Sequence, residues 1–534
     1  MSILLRLTTA LWCLALPPVR AADWPQWGGR NARNFAADET GLPATFRPDR
    51  TDVTNGIQSV VPGKNLKWTA PLGTQCYVTP AVAGGRIYVG ANDAKVDPAR
   101  FARTKGSVFD CLSEETGQRL WRLVIPRLKT QNKLFNFDDL DLGLCSSPTV
   151  DGDRVYIMGS RGDVLCLDIR GQADGNAGPF TDEGRYMADN RTFPDKPGRF
   201  SPTNAPAAPA PIALRPEDAD IVWRYDVLEA LDVWPQDAVD CSILVYGDCL
   251  YVCVCNGVDR SHKTLPSPNA PNLIVLDKRS GALLATIDKP LGTSVFHGDW
   301  SSPAQARVNG KDLIFWGGGD GVCYAFDARF EPGKEGQPGV LQRIWQFDCN
   351  PPHNKFKDGH QLPYNKNRQG PSEIIATPVI VGSRIYVAVG QDSRHGAGPG
   401  CLSCIDATQT GDVTASGKIW QCFDVGRSFS STAITKDGLA FIADYAGMLR
   451  CLDADTGKEY WNHDLKGRVF CSPLCADGKV YIGTEAGRLT VTAAAREKKV
   501  LDEVRFDGPI YATPVAANGV LYIATQRTLY AFQQ

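Results

Sequence analysis

One short phrase recurs along this chain: a Ser/Thr-Pro step, a Gly turn, then an apolar β run. Thr79-Pro80 leads into GGRIYVG and Ser147-Pro148 into DGDRVYIMG. Ser302-Pro303 opens another copy, and Thr377-Pro378 leads into GSRIYVAVG. Ser472-Pro473 leads into DGKVYIG and Thr513-Pro514 into NGVLYIAT, while weaker copies start at Ser242 and Ser431. One such unit cannot bury both faces of its sheet alone, so neighbouring copies must stack. The eight starts predict an all-β fold: an eight-bladed β-propeller of four-stranded antiparallel blades. Length is a weak guide to domain count here, because a propeller grows as one ring.

The cleanest unit runs over residues 431–466, with strands STAI, LAFIAD, MLRCLDA and EYWNHDL separated by Gly turns. Its fourth strand carries Trp461, and Trp121, Trp223, Trp345 and Trp420 fall at the same place in other units. Each of these indoles is expected to wedge between adjacent sheets as a structural residue. The last unit stops after three strands. The missing fourth is expected from residues 65–73, where Trp68 holds the same position, and that pairing would leave no exposed sheet edge.

The domain reading is therefore a signal peptide over residues 1–21, an extension over 22–64 packing on the propeller, and the propeller over 65–534. Arg6 precedes the apolar residues 7–16, and Val19-Arg20-Ala21 offers small residues for cleavage after Ala21, with cleavage after Ala22 equally compatible. Residues 171–220 form a Pro- and Ala-rich insertion expected to be irregular. No later segment is long and apolar enough to span a bilayer. The chain is thus read as exported, periplasmic or extracellular, and monomeric.

A formal net charge of -2 argues against a nucleic-acid partner. Export would permit some disulfides among the 17 cysteines. Yet Cys111, Cys166, Cys404 and Cys451 recur at one strand position, as a small buried hydrophobe would, so unbridged thiols are expected there.

In a propeller, the connections entering each first strand and those after each second strand emerge on one face. The third to fifth units place polar residues there: Asp240, Asn256, Asp259, His262, His297, Asp299, Trp300, Asp320, Glu373, Asp392 and His395. Such a set can bind a metal or act in acid–base chemistry, with Asp299 and Glu373 as weak metal candidates. Arg427 and Arg468, before the sixth and seventh first strands, can hold an anion or pair with Asp507 and other carboxylates. Substitution of His297 or Asp299 by Ala is expected to alter ligand binding with little loss of fold.

The segment CLDADTGKEYW (residues 451–461), with WPQW, VDCS, NGVD and HGDWSSP, resembles the pyrroloquinoline-quinone (PQQ)-like eight-bladed propellers. That superfamily includes quinoprotein alcohol dehydrogenases and the outer-membrane assembly factor BamB. The resemblance implies either a non-catalytic module that binds a protein or glycan at the cell envelope, or a quinoprotein oxidoreductase acting on alcohols or sugars. The second would use PQQ and Ca²⁺, held by Glu and Asn beside an Asp base. The sequence lacks the adjacent-cysteine pair of many such dehydrogenases, and no cofactor is assigned from its residues. The binding module is the preferred reading.

Overall fold

The computed structural model describes residues 22–534 except 55–56, 131–139, 194, 197–198, 201–206, 234, 260 and 365–368. The signal peptide expected over residues 1–21 lies outside the described residues.

The Gly turns and apolar runs of each repeat fold into an antiparallel meander. The first repeat consists of strands Ala81–Ala83, Arg86–Asn92, Ser107–Ser113 and Arg119–Ile125. The same order returns in every later repeat. In the sixth it is Ala433–Ile434, Leu439–Ala443, Met448–Asp453 and Glu459–Asp464. In the third and fourth repeats the sheets run together, because Leu283–Ile287 pairs in parallel with the long strand Gly339–Asp348. The last repeat has Val515–Ala517, Val520–Ala524 and Thr528–Phe532, and its fourth strand is Leu66–Pro71. Leu66 faces Phe532, and Pro71 faces Thr528.

Within a sheet, the recurring cysteine sits between two large rings. Cys111 pairs with Tyr88 on one side and Trp121 on the other. Cys166 lies between Tyr156 and Trp223, and Cys404 between Tyr386 and Trp420. A small side chain is required between a Tyr and a Trp at this spacing. Burial pushes all four repeat thiols, Cys451 included, up to about 12, so they stay protonated near neutral pH. No disulfide joins the described cysteines.

The tryptophans join one repeat to the next. Trp68 donates Nε1–H to Glu114 O, Trp121 to Ile169 O and Trp223 to Lys278 O. Trp345 donates to Ala407 O, Trp420 to Ala454 O and Trp461 to Ala495 O. The acceptors lie just past the third strand of the following repeat. Gly117, Gly281 and Gly457 approach Trp68, Trp223 and Trp420 so closely that a Cβ would collide with the indole.

The Ser/Thr of each repeat start has its own role. Thr79 N donates to Ser147 Oγ at 3.1 Å, Ser242 N to Ser302 Oγ at 2.8 Å and Thr377 N to Ser431 Oγ at 2.9 Å. Ser431 N donates to Ser472 Oγ, and Ser472 N to Thr513 Oγ1, both at 2.9 Å. These hydroxyls satisfy buried amides at the inner ends of the first strands, where no sheet partner is available.

Residues 22–37 touch the first strand or adjoining turn of every repeat. Trp24 bridges Val82, Val150 N donates to Pro25 O, and Arg33 donates to Ile243 O and Pro303 O. Ile380 N donates to Ala32 O, Asn34 bonds Ile434, Cys475 N donates to Phe35 O, and Asn518 N donates to Ala22 O. Arg33 is fully buried, and desolvation lowers its guanidinium to about 9. The expected irregular insertion at 171–220 also contains a short helix, Glu183–Ala188. Its Tyr186 hydroxyl donates to Asp163 Oδ2 at 2.9 Å.

Candidate functional site

The segments entering the first strands surround a cavity of about 580 Å³. The residue two places before each repeat-start Ser/Thr lies on its wall: Tyr77, Cys145, Asp240, Trp300, Ile375, Phe429, Phe470 and Tyr511. Of these, only Asp240 and Trp300 were expected in the site. The register of the repeat itself would have found the other six, because equivalent positions face the same place.

The wall has two characters. From the sixth to the first repeat it is an aromatic arc. Phe429 and Phe470 have centroids 5.6 Å apart, Phe470 and Tyr511 4.6 Å, and Tyr511 and Tyr77 stack at 5.0 Å. The remainder is mixed: Asp237, Asp240, Asp392 and Arg394 stand among Leu140, Leu142, Trp300 and Ile375, and Trp27 from the N-terminal segment also lines the cavity. The Trp27 indole donates to Thr377 Oγ1 at 3.0 Å. Desolvation pushes the Asp240 carboxyl up to about 7. Arg468 lies over the Tyr445 ring at 5.6 Å and 3.7 Å from Glu485 Oε1. Its carboxylate neighbour is therefore Glu485. Asp507 instead accepts from the hydroxyls of Thr525 and Thr528.

Beside the cavity, three histidines from three segments converge. His262 follows the second strand of the third repeat, and His297 precedes the first strand of the fourth. His395 ends the short helical turn Ser393–His395 of the fifth. One ring nitrogen from each lies within 4.8 Å of the others. His297 and His395 are buried, whereas His262 is partly exposed. Val258 N holds the His297 carbonyl at 2.8 Å, and His262 N donates to Asp259 O at 2.9 Å. Behind His395, the Tyr364 hydroxyl is 2.9 Å from Nδ1 and donates to Glu373 Oε1 at 3.0 Å. Burial pushes the Glu373 carboxyl up to about 8, and its Oε1 also accepts from Asp392 N.

The other expected residues hold the frame. Asn256 donates Nδ2–H to Ser267 O, and Asp259 accepts from Ser261 N. Asp299 accepts from Asn272 Nδ2 and Gly319 N, both at 2.6 Å, and burial pushes its carboxyl up to about 8. Asp320 accepts from the Tyr324 hydroxyl at 2.6 Å. Arg427 is buried and donates to His395 O and Gln369 O, so its guanidinium braces backbone carbonyls.

A Ca²⁺ ion asks for several converging oxygen ligands. Among the described residues, the groups of three His, Cys, Asp or Glu donors are the three imidazoles and the thiols of Cys241, Cys253 and Cys255. Neither contains Asp299 or Glu373: Asp299 accepts from Asn272 Nδ2 and Gly319 N, and Glu373 from the Tyr364 hydroxyl and Asp392 N.

The family model for the outer membrane protein assembly factor BamB matches residues 57–178 and 409–500. No curated protein matches the sequence. Among solved structures, BamB from Moraxella catarrhalis is similar at 13% identity and a TM-score of 0.50. That match covers 87% of this chain and 98% of the other. Quinohemoprotein alcohol dehydrogenase from Comamonas testosteroni matches at 15% identity and a TM-score of 0.45, over 96% of this chain and 80% of its own. No helix among the described residues is long and apolar enough to cross a membrane.

Proposed function

We propose that this chain, which belongs to the PQQ-like repeat β-propellers, is an eight-bladed binding module whose ligand enters the cavity on its axis. The observation that carries the reading is the wall itself, where one residue from every repeat faces a single cavity of about 580 Å³. Ring closure is supported by the pairing of Leu66–Pro71 with the last repeat, and export by the leader-like residues 1–21.

The chemistry of the wall favours the end of an envelope glycan. Apolar CH faces of sugar rings can lie on Phe429, Phe470 and Tyr511, while hydroxyls reach Asp237, Asp240 and Asp392. A concave, largely apolar site with a few convergent polar groups is the usual form of a small-ligand pocket. The wall groups supply contacts and orientation, and no bond-making step is assigned to them.

Tryptophan fluorescence tests this directly, because Trp27 and Trp300 line the cavity. Titration with envelope oligosaccharides should give a saturable change that Phe470→Ala weakens by about tenfold. A saturable response unaffected by Phe470→Ala, or none to any sugar up to millimolar concentration, overturns the reading. Binding of PQQ with Ca²⁺ and dye reduction by an alcohol would replace it with the oxidoreductase.

A further inference from the structure

We propose that His262, His297 and His395 form a binding site for a divalent transition-metal ion, with Zn²⁺ as the probe of choice. The site is separate from the cavity wall and does not depend on what the cavity binds.

The chain has 6 histidines, and three of them meet here from loops of three different repeats. Ring centroids are 4.6 Å apart for His262 and His297, 5.1 Å for His297 and His395, and 5.9 Å for His262 and His395. Three protonated imidazoles at these separations would repel strongly, and two of the rings are buried. A divalent cation is a partner that favours three neutral imidazoles together. Nitrogens bound to one tetrahedral Zn²⁺ at the usual length stand about 3.4 Å apart. The three donor atoms already lie within 4.8 Å, so modest side-chain movements close the site.

The surroundings fit this assignment in three ways. Tyr364 bonds both His395 Nδ1 and Glu373, a relay that fixes the orientation of the ring. His262 has a left-handed backbone, φ 56°, and its buried Nδ1 has no hydrogen-bond partner among the described residues. Its partial exposure gives an ion a way in. Imidazole donors select zinc, copper or nickel over calcium or magnesium. Three protein ligands leave a fourth position of a tetrahedral ion for water or an added ligand.

The experiment is equilibrium dialysis of the mature protein against ZnCl₂ or CoCl₂, followed by elemental analysis and a visible spectrum of the cobalt form. One equivalent should bind, with d–d bands of nitrogen ligation and no strong thiolate charge-transfer band. His262→Ala, at the exposed corner, should weaken binding at least about tenfold, and Tyr364→Phe about tenfold to a hundredfold. In the unmodified protein, Zn²⁺ should protect His262 from diethylpyrocarbonate, read by peptide mass spectrometry, whatever the variants do. Failure to bind one equivalent, affinity unchanged by His262→Ala, or no protection of His262 overturns the proposal. A thiolate band would also overturn it and would place the ion at Cys241, Cys253 and Cys255.

Discussion

Thr513 donates its backbone N–H to Thr79 Oγ1 at 2.9 Å, tying the last repeat start to the first across 434 residues of chain. Both residues are buried, so no water can replace the bond. Thr79→Val keeps the shape but leaves the Thr513 amide without an acceptor, which costs about 1–3 kcal/mol. Thr79→Ser keeps the oxygen and should stay near wild type. Urea unfolding of the two variants decides the point: equal midpoints would mean that the hydroxyl contributes nothing.

Asp299 was expected from the sequence to be dispensable for folding. Its carboxyl oxygens instead accept from Asn272 Nδ2 and Gly319 N in a fully buried site. Asp299→Ala should therefore destabilise by about 1–3 kcal/mol for each orphaned donor. Asp299→Asn, with one carbonyl oxygen, should fall between. A thermal melt of Asp299→Ala matching wild type would return Asp299 to the list of pure ligand contacts.

Stability should fall as pH rises between about 4 and 7 in part because of Asp240. Burial raises its carboxyl from 3.8 to about 7, so in that window the folded chain holds a proton that the unfolded chain has released. Stability is therefore greatest below the unfolded value and is lost through the folded one. Asp240→Asn should make the decline of Tm with pH shallower. A slope identical to wild type would contradict the shift.

Ala22 N lies 2.8 Å from Glu39 Oε1, and the other carboxylate oxygen accepts from Gly519 N at 2.9 Å. Cleavage after Ala21 would turn that amide into an ammonium facing a buried carboxylate, a stronger bond. Intact mass of the exported protein should therefore begin at Ala22, and Glu39→Gln should cost the processed form about 1–3 kcal/mol. A mature chain starting elsewhere would remove the basis of this prediction.

The strand meander was legible because hydrophobic runs and Gly turns act locally. The tryptophans were legible as wedges for the same reason, since a large apolar ring at a repeated position must be buried. Their carbonyl acceptors were not legible, because Ala454 and Ala495 carry no signal in their side chains. The aromatic arc could have been found by aligning positions two before each repeat start, but Cys145, Asp240 and Ile375 of that set are not aromatic. The histidines were singled out as polar departures from the repeat, yet so were Asp259 and Asp320, which fasten turns.

By itself, the sequence determined a repeated four-strand unit and the buried cysteine and tryptophan positions that recur within it. Those depend on residues a few positions apart, whose geometry the backbone fixes. The tertiary structure alone decided that residues 22–37 reach all the repeats, and that Asp299 is spent on protein donors. It also decided that His262, His297 and His395 face one another. Those relationships depend on where loops from separate repeats arrive once the repeats pack, and no local spacing in the chain encodes that distance.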